Sequence, residues 1–383
     1  VDFTFSDPER QFAESLRRYA RERLRPEYAQ WDRGTPYPRS RLRELAELGI
    51  TGMRVPAAYG GADATYVMAG IAAEELARGD YNVTLVLQIA MITADILSGH
   101  ATAAVKDAWL PGMASGERLV AFGLTEPGAG SDAAALATTA ARDGDSYVVS
   151  GEKASITFAG MADSAIVFAR MGGKGARGIG AVLVPLDAPG VSRRLYRSPG
   201  ERLSQRGSLV FDRVRVPMEN RIGDESGGFI QAMSAFDYNR AVIALCCVGA
   251  ALQSLDETIE YAKQRHTFGK PIAKHEAVSF QIAEHLTMLS AARLLAYQCL
   301  TLRDAGKPSA KEAAMSKWLG PKAATEAIHA CILLHGWMGY DQDLPHEQRL
   351  RDVIGLEIGD GTPEIMKAII ARETFGREFS AYK

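Results

Sequence analysis

The spacing of apolar and polar positions divides the chain into three textures. Up to about residue 120 the period is helical: in SDPERQFAESLRRYARERLRP, Phe12, Leu16 and Tyr19 fall on one face, and Ser6, Pro8 and Glu9 supply start signals. RSRLRELAELG repeats the pattern with Leu42, Leu45 and Leu48, and Gly49 suits a C-terminal cap. EELARGDYNVTLVLQIAMITADIL adds further apolar helix. From about 120 to 220, SYVVSGEKASITF, SAIVFARM, GIGAVLVPL, GVSRRLYR and SLVFDRVRVP are short β-rich runs punctuated by Gly, Pro and Asp. Beyond about 225 the helical period returns, with Leu252, Leu255 and Ile259 on one face and Ile282, Leu286 and Leu289 on another. The expected fold class is α+β: an N-terminal helical domain over 1–120, a β-barrel-like middle domain over 121–224, and a C-terminal four- or five-helix bundle over 225–383.

Composition narrows the partners. The 383 residues are 47% hydrophobic with a formal net charge of -2, which gives no electrostatic ground for nucleic acid or an anionic membrane as partner. The run AVIALCCVGAAL, 241–252, is too short to cross a bilayer, and VDFTFSDPERQF lacks the basic and apolar regions of an export signal. Cys246, Cys247, Cys299 and Cys331 form no CxxC pair, so a reducing, cytoplasmic location is expected. The histidines show neither HxxH nor HExxH spacing, and no metal site is expected. GGKGARG contains a formal GxGxxG at Gly173, Gly175 and Gly178, but a β run follows where a nucleotide fold needs a helix; a hairpin loop is expected.

Two stretches carry chemistry. FGLTEPGAGSD, 122–132, lies at the junction of helical and β texture; its glycines would expose backbone N–H groups to a flat or anionic ligand, with Thr125 and Ser131 supplying hydroxyls. IGDGTPEI, 358–365, ends at a helix start, with Thr362 as cap and Pro363 in the first turn, and sets a lone Asp360 between Gly359 and Gly361. Alone, that Asp reads as a solvated turn residue.

Taken together the motifs resemble the acyl-CoA dehydrogenase flavoproteins. Leu124-Thr125-Glu126-Pro127-Gly128-Ala129-Gly130-Ser131-Asp132 matches the family's T-E-x-x-x-G-S-D signature. Gly151-Glu152-Lys153-Ala154-Ser155-Ile156-Thr157 resembles G-x-K-x-W-I-T, and Arg265-His266-Thr267-Phe268-Gly269-Lys270-Pro271-Ile272 resembles R-x-x-F-G-K-P-I. Asp237-Tyr238-Asn239-Arg240 resembles the D-x-x-R that opens the long bundle helix, Gly336-Trp337-Met338-Gly339-Tyr340 and Arg351-Asp352 resemble G-G-x-G-Y and R-D, and Asp360-Gly361-Thr362 falls where the family carries E-G-T.

The resemblance implies FAD, held by Leu124, Thr125, Gly130 and Ser131, by Ser155 and Thr157, by Arg265, Thr267 and Phe268 toward the pyrophosphate and adenosine, and by Gly336 and Thr362, with a neighbouring subunit contributing. It implies Asp360 as the catalytic base, a substrate site of Ser131, Asp237, Arg240, Gly359 and Gly361, a homotetramer, and electron-transferring flavoprotein as acceptor.

Departures sharpen the expectation. Asp360 stands for the usual Glu and Gly359 for a Tyr, which suggests a bulky, cyclic or branched acyl group such as cyclohexanecarboxyl-CoA. Ser155 replaces the Trp that covers the flavin, Leu333 a Gln and Trp337 a Gly; Glu276 stands where a Gln is common. Asn239 lies where some branched-chain members carry an alternative Glu base, and an amide cannot do that work. The alternatives are a nitroalkane-oxidase-like flavin oxidase or oxygenase, since those enzymes also use Asp, and a non-catalytic flavoprotein subunit.

Overall fold

The computed structural model describes residues 4–35, 37–173 and 175–379. The N-terminal part is helical: α1 (Asp7–Tyr19), α2 (Tyr28–Asp32), α3 (Ser40–Glu47), α4 (Tyr66–Gly79), α5 (Val83–His100) and α6 (Ala103–Ala114). The start signal works as expected at α1, where Glu9 accepts from the Ser6 N–H at 2.7 Å and from its hydroxyl at 2.8 Å. Gly49 closes α3 at φ 76°, a left-handed conformation in which a Cβ would be strained.

The middle part is an eight-stranded mixed sheet of β1 (Val120–Gly123), β2 (Thr139–Asp143), β3 (Ser146–Ile156), β4 (Ser164–Arg170), β5 (Ile179–Pro185), β6 (Val191–Leu195), β7 (Gly207–Pro217) and β8 (Arg221–Ile222). Its order is β6-β7-β3-β2-β4-β5-β8, with β1 pairing in parallel on β4. The glycine-rich GGKGARG segment joins the antiparallel neighbours β4 and β5 as a hairpin loop; Lys174 within it lies outside the described residues. Along β3 and β7 the register slips between Lys153 and Ile156, a bulge that turns Ser155 left-handed at φ 56° and leaves it exposed.

The C-terminal part holds α7 (Gly228–Gln264), a small hairpin β9 (His266–Thr267) and β10 (Lys270–Pro271), α8 (Glu276–Asp304), α9 (Ala310–His335), α10 (His346–Ile358) and α11 (Pro363–Phe375). The central α7 crosses its neighbours closely enough to demand small residues. A Cβ on Gly249 would come within 2.2 Å of the Glu74 carbonyl on α4, and one on Gly320 of α9 within 2.8 Å of Ala244 Cα. Contrary to the sequence reading, the D-x-x-R segment does not open this helix, which begins at Gly228 and carries Asp237 in its third turn. Among the described residues two helices, Val83–His100 and Gly228–Gln264, are long and apolar enough to span a bilayer, but 72% of the most apolar 18-residue stretch of each lies buried in the fold, as in core helices.

One carboxylate binds the three parts together. Asp352 on α10 accepts from the Tyr28 hydroxyl at 2.7 Å, the Asn82 amide at 2.9 Å and the Glu201 N–H at 2.6 Å. Burial pushes its carboxyl up to about 7 against those donors.

Candidate functional site

Loop 124–132 leaves β1 and is fastened from below. Glu126 and Ala129 exchange backbone hydrogen bonds at 3.1 Å, and the Thr125 carbonyl accepts from Ala154 N–H at 2.8 Å. Beneath the loop, the Glu126 carboxylate accepts from Lys153 Nζ at 2.7 Å and from the N–H groups of Ala137 (2.6 Å) and Thr138 (2.9 Å). Burial pushes the Glu126 carboxyl up, but the Ala137 N–H, Lys153 and Thr138 outweigh it and hold it below the usual range. Lys153 also donates to the Leu124 carbonyl at 3.0 Å, and burial lowers its ammonium to about 8. The upper side is open: a Cβ on Gly128 or Gly130 would meet nothing within 4 Å, and Gly130 and Ser131 are exposed. Thr125 and Thr157 are half-buried.

The second component is the turn between α10 and α11. Asp360 is half-buried and left-handed at φ 57°, a conformation Asp tolerates better than most residues and one that clusters at functional sites. Asn239 Nδ2 donates to Asp360 Oδ2 at 2.6 Å, and Arg240 Nε donates to the Asp360 carbonyl at 3.2 Å. Lys317 of α9 donates to the carbonyls of Glu357, at 3.0 Å, and of Gly361. Burial lowers the Lys317 ammonium to about 8 and the Arg240 guanidinium below its ordinary value, with Asp360 opposing in both cases. Asp237, 3.6 Å from Arg240 Nη1, is pushed up by burial while Arg240 pulls it down. Thr362 occupies the cap position of α11, but its hydroxyl makes no capping hydrogen bond, contrary to the sequence reading. Gly361 needs its missing side chain: at φ 107° a Cβ would fall 2.5 Å from Met366 Cε.

Asp237, Arg240, Gly359, Asp360 and Gly361 therefore converge. Arg265, Thr267 and Phe268 do not join them, because Arg265 follows the last turn of α7 and lies about 40 Å along that helix from Asp237. Arg265 is exposed and has no ion partner among the described residues, and Phe268 is 96% exposed. Gly336, at the end of α9, begins a turn in which Trp337 is 80% exposed.

Sequence reasoning missed several groups here. Lys153 and Glu126 lie within the sequence motifs, but nothing in the sequence marks them as a pair. Lys317 is a single Lys in an ordinary helical stretch and gave no signal. Arg206, which donates to Glu201 at 2.6 Å and to the Ser155 carbonyl at 3.0 Å, comes close enough to feel the Asp360 charge and was equally silent.

An open glycine-rich backbone with adjacent hydroxyls fits the flavin of a dinucleotide, and the exposed Arg265, remote from Asp237 along α7, suits a phosphate. Comparison with known proteins agrees. The N-terminal, middle and C-terminal domain models of acyl-CoA dehydrogenase match residues 6–117, 121–214 and 226–375. The chain is 36% identical over 362 residues to the mitochondrial short-chain specific acyl-CoA dehydrogenase of Rattus norvegicus, covering 94% of this chain and 88% of that one. It superposes on butyryl-CoA dehydrogenase from Megasphaera elsdenii with a TM-score of 0.94 at 32% identity, covering 98% and 100% of the two chains. A glutaryl-coenzyme A dehydrogenase in complex with glutaryl-CoA matches with a TM-score of 0.95 at 29% identity, covering 100% and 99%. The chain belongs to the acyl-CoA dehydrogenase family, FAD-dependent oxidoreductases that act on CH–CH groups.

Proposed function

We propose that Asp360 is the base that removes the α-proton of an acyl-CoA thioester, and that the acyl group is bulky, cyclic or branched. The observation that supports this most is the turn itself: a short carboxylate on a left-handed residue, its backbone gripped by Arg240 and its following carbonyl by Lys317. FAD, when bound, supplies the acceptor for the β-hydride. The chain's own part is to hold a carboxylate at the α-carbon and to stabilise the charge that develops on the thioester oxygen. The Asp360 N–H donates to no group among the described residues and is free for that oxygen. Thr125, Ser131 and Thr157 line the flavin and acyl side in this reading, with Leu124, Gly130, Ser155 and Thr362 around them. Asp that is one methylene shorter than Glu, beside a Gly359 with no side chain, leaves room at the α-carbon for a ring.

The separation of Arg265, Thr267 and Phe268 from Asp360 along α7 supports a site shared between copies of the chain, with those residues and Gly336 serving a neighbour's cofactor. Exposed Phe268, Phe280, Leu333, Trp337 and Tyr340 on the helical part are suited to be covered in such an assembly, for which a homotetramer is the reading we adopt. Electron-transferring flavoprotein is the acceptor proposed, and the four unpaired buried cysteines fit a reducing, cytoplasmic setting.

The test is anaerobic titration of the flavoprotein with linear, branched and alicyclic acyl-CoA thioesters, in wild type and in Asp360→Asn. Alicyclic or branched thioesters should bleach the flavin fastest, and the variant should lose that response by roughly 10²-fold or more while keeping FAD. Normal reduction in the variant removes the base assignment. Peroxide formation from a nitroalkane, with no response to any thioester, would move the protein to the oxidase reading.

A further inference from the structure

Three contacts hold the Asp360 turn through its backbone, but they leave the carboxylate free to rotate. Only one hydrogen bond reaches that carboxylate among the described residues, and it comes from Asn239. Asn239 lies on α7 immediately before Arg240 and is 2% exposed. Its orientation follows from charge. Turned over, the amide would set its oxygen against a carboxylate oxygen at 2.6 Å, acceptor facing acceptor.

The orientation that serves Asp360 leaves Asn239 Oδ1 buried with no partner. A buried, unpaired oxygen is unfavourable, and an apolar side chain would fill the position without it. The amide is thus poorly explained as packing and well explained by what its N–H does to Asp360. Other charged groups around the turn act differently: Arg240 and Lys317 bond to carbonyls, while Arg206 is engaged by Glu201 and the Ser155 carbonyl.

We propose that Asn239 is a positioning residue for the base: its N–H occupies Asp360 Oδ2, so that Oδ1 is the atom presented to the substrate. The inference rests on the reading of Asp360 as base. In the step it serves, the α-C–H bond breaks and an O–H bond forms at Oδ1. The electron pair stays with the thioester, and the family's flavin accepts the β-hydride.

A double-mutant cycle separates this role from a structural one. The rate of anaerobic flavin reduction at saturating thioester is measured in holoenzyme for wild type, Asn239→Leu, Asp360→Asn and the double variant. The probe is butyryl-CoA or cyclohexanecarboxyl-CoA, whichever reduces wild type faster. Affinity is measured separately with the matching enoyl-CoA. Asn239→Leu should slow reduction roughly 10- to 100-fold, with FAD content and enoyl-CoA Kd unchanged, since misplacing a reacting group is enough for such a loss. In the Asp360→Asn background the same substitution should cost nothing further, because residues that act as a unit do not add. Should Asn239→Leu fail to retain FAD, Asn239→Ser, too short to reach Oδ2, is read in the same way. The proposal is overturned if the Asn239 variant reduces at the wild-type rate, if its loss lies wholly in Kd, or if it slows Asp360→Asn by the factor it slows wild type. Wild-type reduction in Asp360→Asn is a different result and removes the base itself.

Discussion

Lys153 Nζ sits 2.7 Å from Glu126 Oε1, the lysine side chain fully enclosed and the glutamate nearly so. This pair, with the Lys153 bond to the Leu124 carbonyl, anchors loop 124–132 to β3. Lys153→Met would leave the Glu126 carboxylate buried with only two backbone donors. Breaking a buried pair on one side costs about 3–5 kcal/mol, so the variant should unfold at distinctly lower denaturant and release FAD more readily. Guanidinium unfolding followed by flavin fluorescence measures both.

Asp360→Glu tests the length of the base. The longer side chain should move preference from alicyclic toward straight-chain thioesters, at some cost in stability because φ 57° suits Asp better than Glu. Relative kcat/KM for butyryl-CoA and cyclohexanecarboxyl-CoA reads the change; an unaltered ranking would remove the size argument.

Gly359→Tyr tests the space beside the base. The backbone there, at φ -58° and ψ 149°, accepts any residue, and a Cβ would meet the end of the Leu356 side chain at 3.1 Å and the Gly355 carbonyl at an ordinary 3.7 Å. The added ring should cut kcat/KM for an alicyclic thioester by about 10- to 200-fold relative to butyryl-CoA, the range for a hydrophobic pocket that loses or gains a small group. Equal losses on both substrates would argue against Gly359 as the source of that space.

Glu257 contributes stability that acid should remove. Burial pushes its carboxyl up, but Arg349 at 2.6 Å and Arg25 at 2.7 Å more than offset this and bring it down to about 2. Because the folded value lies below the unfolded one, the contribution is present above about pH 4.5 and is lost as pH falls toward 2. It amounts to on the order of 3 kcal/mol at neutral pH. Glu257→Gln should lower the urea midpoint at pH 7 and flatten the decline of stability across that acid window.

Much of this protein is legible in its sequence. The helical period around Leu42 and Leu45, the capping signal at Ser6 and Glu9, and the β texture from SYVVSGEKASITF to SLVFDRVRVP depend on contacts between residues close in the chain. Steric preference and one-sided burial suffice to impose them. The glycine-rich signature at 124–132 and the lone Asp360 were visible for the same reason, since their turns are written in adjacent residues.

Sequence could not say what closes on those turns. Asn239 and Asp360 are 121 residues apart, and Asp352 and Tyr28 are 324 apart. Both contacts depend on how whole helices cross, and that angle is set by buried side chains along their length rather than by the residues that finally meet. The helix α7 runs unbroken from Gly228 to Gln264, so that Arg265 stands at its far end from Asp237 although both belong to one recognisable set of motifs. Residue chemistry was local and could be read from the chain; the pairing of that chemistry was a product of tertiary packing.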